Sequence, residues 1–122
     1  MLLIGSCSIL LPEQTKTQRL SRATSLYSCH FLFKSTAEST NDLLLQSRLG
    51  QISHSLLLQA KEITMEIGGV KLTDKISNAG KLEFDRFMRE TQSILSIIER
   101  NQRFKAFSKS CADMSGIILN AG

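Results

Sequence analysis

Two runs of three consecutive leucines, Leu43-Leu44-Leu45 and Leu56-Leu57-Leu58, limit what this chain can become. Between and beyond them, Leu45, Leu49, Ile52, Leu56, Gln59 and Ile63 recur at alternating steps of four and three. That is the stripe of a helix with near-heptad spacing. A helix turns ~100° per residue, so each leucine triplet spreads over ~200° of its surface. One neighbouring helix covers only part of that arc. Each leucine left in water forgoes roughly 1.5–3 kcal/mol of burial. The segment therefore calls for a third helix from its own chain or for a partner subunit.

Its boundaries are marked. Ser35-Thr36-Ala37-Glu38 and Ser39-Thr40-Asn41-Asp42 both fit the hydroxyl-x-x-acid capping box, in which a side-chain oxygen satisfies an orphan backbone N–H. Gly68-Gly69 ends the pattern, with Gly68 suited to a left-handed cap. The spacing predicts a helix over about residues 38–66. A rival reading stays open at 63–72: Ile63, Met65, Ile67, Val70 and Leu72 alternate across the glycine pair like a β-hairpin.

A second helical pattern begins near Gly80 or Lys81. Phe84, Phe87, Thr91, Ile94 and Ile98 form its stripe, flanked by Met88, Leu95 and Ile97. Phe104, Phe107, Cys111, Met114, Ile118 and Ala121 continue in a shifted phase, with the shift at residues 99–103. The pattern allows one helix that changes its buried face or two helices meeting at a break.

Residues 1–37 look different. They carry four bases against one acid, are rich in Ser and Thr, and hold only short apolar clusters. Their composition suits a flexible tail or an organelle transit peptide. The expected organisation is thus a flexible or targeting-like segment, 1–37, before a helical domain, 38–122. The fold expected is all-α: a helical hairpin or small three-helix bundle with coiled-coil-like packing, antiparallel across residues 67–80. The lone proline, Pro12, leaves everything after it free to be helical. No stretch approaches the ~18 apolar residues of a membrane span.

The stretch AGKLEFDRFMRE, residues 79–90, sounds like the end of a calcium-binding EF-hand loop. The ligands are missing. With Gly80 at the turn position, Lys75 takes the first ligand position and Arg86 the twelfth, two cations where carboxylates belong. With Asp74 first, Ala79 takes the turn position and Ile76 a ligand position. The stretch reads instead as a helix start capped by Gly80, with Glu83 and Asp85 favouring the positive helix end.

Other chemistry is sparse. Cys7, Cys29 and Cys111 are odd in number, widely spaced and free of any CxxC pair. They read as reduced thiols of an intracellular, reducing compartment, one of them in the core, rather than as a disulfide framework. Cys29, His30, His54 and Cys111 lack the short paired spacings of a structural zinc site. No P-loop, GxGxxG or HExxH occurs. No metal, cofactor or catalytic residue is expected.

Two binding features stand out. The first is the apolar set Leu44, Leu45, Leu49, Ile52, Leu56, Leu57, Phe87, Ile94 and Ile98, expected to pack the hairpin and to dock a partner. The second is the acid-free stretch 100–109, in which Arg100, Arg103, Lys105 and Lys109 interleave with Phe104 and Phe107. The first points to a non-catalytic subunit, adaptor or chaperone-like protein that forms homo-oligomers or binds a helical partner. The second points to a regulatory helical protein that binds nucleic acid or an acidic surface. The first is favoured, because residues 38–122 hold eleven bases against ten acids. Phosphate binding needs a concentrated excess of positive charge.

Overall fold

The first of the described helices opens on a capping box that begins at Thr15. The Thr15 hydroxyl accepts from the Gln18 backbone N–H, and the Gln18 side chain accepts from that of Thr15. The computed structural model describes residues 15–116, and these form three helices: α1 (Lys16–Ser39), α2 (Leu43–Gln92) and α3 (Ile97–Ser115). Asp42 caps α2 by accepting from the N–H groups of Leu44 and Leu45. Ser96 caps α3 by accepting from that of Glu99. Gly116 ends α3 in the left-handed conformation. The domain is all-α, as expected, and its described residues contain no strand.

A straight α2 of 50 residues would be ~75 Å long. It is folded in half at Gly69, where φ is 74° and ψ −157°. The fold-back brings the Thr73 hydroxyl to 2.8 Å from that of Thr64, nine residues earlier. The Thr73 hydroxyl also lies 2.8 Å from the Gly69 carbonyl oxygen. The glycine pair therefore turns a helical hairpin, and the β-hairpin reading of residues 63–72 is overturned. The left-handed residue is Gly69, one place beyond the expected Gly68. The second arm starts at once, so residues 67–80 are not a connection. Gly80 is no cap but a buried mid-helix residue. The break before α3 lies at residues 93–96, so the tail of the pattern is a separate helix. Ile118 and Ala121, expected to extend its stripe, lie outside the described residues.

Contacts set the directions of the four rods. The His30 ring nitrogen lies 2.8 Å from the Ser53 carbonyl oxygen, and Arg19 pairs with Glu66 at 3.0 Å. Hence α1 runs antiparallel to the first arm, residues 43–68. Tyr27 packs against Gly80, and the Phe31 and Phe84 rings lie 6.4 Å apart. Hence α1 runs parallel to the second arm, residues 70–92. Phe87 meets Phe104 and Phe107, while Cys29 is bonded to Cys111. Hence α3 runs antiparallel to the second arm. The rods alternate up, down, up and down.

The segment expected to be a flexible lead-in is, from Lys16 onward, the hub of this bundle. Among the described residues, α1 supplies seven of the twelve buried apolar residues: Ala23, Leu26, Tyr27, Cys29, Leu32, Phe33 and Ala37. Its neighbours on three sides explain why it shows no stripe. A helix enclosed on several faces has no solvent face to make one. Residues 1–14 of the expected segment lie outside the described residues. The cysteines also differ from expectation. Cys29 and Cys111 form a disulfide across 82 residues of chain. Helix packing brings α1 and α3 together, which no spacing rule shows.

Candidate interaction surface

The Arg19–Glu66 pair and the Gly69 turn lie towards one end of the bundle. By the same registers, the links 40–42 and 93–96 lie together at the other. Short links force helix starts and ends to share this tip, and there the apolar side chains are not covered. Leu43, Leu44 and Leu45 are 78, 85 and 42% exposed, and Leu95, Ile97 and Ile98 are 97, 64 and 72% exposed. Leu44 and Leu45 also line a shallow depression with Asp42, Ser47, Arg48 and Gln51. Other exposed apolar residues, Leu58, Met65, Val70 and Leu82, lie further along the arms.

The nine apolar positions singled out from sequence separate into groups. Leu44, Leu45 and Ile98 are exposed at the tip. Leu56 is fully buried, and Leu49, Ile52 and Leu57 are half-buried against the core. Their expected surplus is largely taken up by α1. Phe87 is half-buried and meets Phe104 and Phe107 edge-on, with ring centroids 5.4 and 4.5 Å away. Ile94 is half-buried in the link 93–96. The tip adds Leu43, Leu95 and Ile97. Their signal was adjacency to capping residues, since each flanks Asp42 or Ser96.

The four bases do not gather on one face. Arg103 and Lys105 project ~160° apart on α3. Arg103 lies 3.9 Å from Glu99 of its own helix. Lys105 and Lys109 point to solvent, and Arg100 is half-buried in the first turn. The inward side between them belongs to Phe104, Phe107 and Cys111.

Among the described residues one serine–histidine pair is in contact: His30 Nδ1 lies 2.9 Å from Ser53 Oγ and 2.8 Å from the Ser53 carbonyl oxygen. It is a packing contact between α1 and the first arm. Ser53 is 4% exposed, out of reach of a substrate. Burial lowers the His30 pKa below its ordinary 6.5, opposed by the hydrogen bond to Ser53 and aided by the Lys34 and His54 charges. The disulfide takes both sulfurs out of the zinc set Cys29, His30, His54 and Cys111, because a bonded sulfur is no thiolate ligand. Among the described residues no three His, Cys, Asp or Glu side chains cluster to hold a metal. Residues 79–90, the EF-hand echo, run as continuous helix. No described helix is long and apolar enough to cross a membrane.

Compared with known proteins, the chain matches no family model, no curated protein and no solved structure.

Proposed function

We propose that the protein is a non-catalytic helical subunit that assembles through the tip formed by residues 40–45 and 93–98, with a second copy of itself as its simplest partner. The observation that carries this reading is that six exposed apolar residues, Leu43, Leu44, Leu45, Leu95, Ile97 and Ile98, fall at one end of the bundle, while the other exposed apolar residues are scattered along the arms. Isolated exposed apolar residues are normal, but contiguous ones mark interaction surfaces. Two copies meeting tip to tip about a two-fold axis would pair each patch with itself. The spread of Arg100, Arg103, Lys105 and Lys109 around α3 weighs against phosphate recognition as the main role.

Sedimentation equilibrium at low and high salt tests the reading. Association that persists or strengthens at high salt supports an apolar tip, whereas a phosphate-binding surface loses affinity steeply as salt rises. A wild-type chain that stays monomeric across the concentration range contradicts self-assembly.

A further inference from the structure

The four rods of the bundle are not held equally. The interior formed by α1 and the two arms contains Leu26, Tyr27, Leu32, Phe33, Leu56, Ala60 and Phe84. Of α3, only Cys111 and Ala112 are buried. Its other grip is the pair Phe104 and Phe107 on Phe87, with Met114 half-buried beyond them. Its polar side chains look after themselves. Arg103 pairs with Glu99, Ser108 donates to the Phe104 carbonyl, and Ser96 Oγ accepts from the Glu99 backbone N–H. Helical stability in proteins comes mostly from tertiary packing rather than intrinsic propensity, so α3 depends on what fastens it.

We infer that the Cys29–Cys111 disulfide is the fastening that keeps α3 on the bundle, and that reduction frees α3 as a unit while α1 and α2 stay folded. The inference does not depend on what the tip binds. Reduction by a dithiol transfers two electrons and two protons to the bond. Cys29 and Cys111 become thiols, and the dithiol closes into its own cyclic disulfide. Both cysteines are 1% exposed, so the reductant reaches them only while α3 is lifted. The bond is therefore a buried staple of the kind that an oxidising compartment closes and preserves.

Hydrogen exchange on the full chain tests this, read by peptide mass before and after dithiothreitol and in the variant Cys111→Ser. Alkylation of the unfolded, unreduced protein first counts the free thiols. The expected result is Cys29 and Cys111 protected from alkylation before reduction. After reduction, and in Cys111→Ser, amides of residues 97–115 should exchange about tenfold faster or more, with α1 and α2 still protected. Unchanged protection of α3 would overturn the inference by showing that packing suffices. Loss of protection throughout would overturn it by showing that the bond holds the whole bundle. Alkylation of Cys29 and Cys111 without reductant would overturn it at the outset.

Discussion

Tyr27 occupies the space that a side chain at position 80 would need. A Cβ built on Gly80 would lie 2.5 Å from the Tyr27 Cβ and 2.9 Å from the Thr24 carbonyl oxygen. Glycine in a helix interior normally costs about 0.5–1 kcal/mol relative to alanine. Here it lets the second arm lie close against α1. Gly80→Ala is expected to destabilise by about 1–3 kcal/mol, the usual cost of overpacking. Gly50→Ala is the control, since nothing lies within 4 Å of its built Cβ, and should stabilise by about 0.5–1 kcal/mol. Urea unfolding checks both, and a stabilised Gly80→Ala would show that the approach is looser than described.

The hairpin turn rests on one residue. Gly69, at φ 74° and ψ −157°, sits in a region that side-chain-bearing residues avoid. Gly69→Ala should cost about 1–3 kcal/mol although its built Cβ meets nothing within 4 Å. The penalty is purely conformational. A midpoint equal to wild type in urea would mean that the chain turns elsewhere.

Two buried threonines should respond oppositely. Thr64 Oγ1 lies 3.3 Å from the Tyr27 hydroxyl and 2.8 Å from that of Thr73. Thr64→Val removes a partner shared by α1 and both arms of α2 and should cost about 1–3 kcal/mol. Thr91 Oγ1 is buried without a hydrogen-bond partner. Thr91→Val should be neutral or stabilising, because it exchanges an unpaired hydroxyl for a methyl group. Thermal unfolding of the two variants side by side reads the contrast.

His30 should make the fold sensitive to mild acid. Desolvation lowers its folded pKa below the ordinary 6.5, so the unfolded chain binds the proton more readily. Its contribution to stability is complete above pH 6.5. It is lost as pH falls through that value towards the lowered folded pKa. His30→Gln should flatten this part of the stability–pH curve, measured by urea midpoints from neutral to mildly acidic pH. An unchanged slope would assign the sensitivity to another group.

The legible parts of the fold were those with one-sided burial. The first arm of α2 is covered mainly on one side, and its Leu49, Ile52 and Leu56 showed the stripe. Phe104, Phe107 and Cys111 of α3 did likewise. The hub helix α1 was invisible for the opposite reason: buried Ala23, Leu26, Ser28, Cys29 and Leu32 leave no single stripe, and serines hide its apolar content. Gly80 looked like a cap because its reason for being glycine, Tyr27, lies 53 residues away. The pairing of Cys29 with Cys111 needs the α1–α3 contact. The Leu triplets did signal incomplete coverage: α1 covers much of the stripe, and the exposed remainder is Leu43, Leu44 and Leu45 at the tip and Leu58 further along the first arm. There, Leu95 and Ile97 counted in sequence only as flanking residues of a helix.

The central claim is that this tip is sticky, and charging it is the direct test. Leu44 and Leu95 are 85 and 97% exposed, so glutamate at both positions disturbs no packing within the chain. Sedimentation velocity of the double variant Leu44→Glu/Leu95→Glu, with circular dichroism to confirm unchanged helicity, should show a monomer where the wild type associates. Association undiminished in a fully helical double variant would contradict the account.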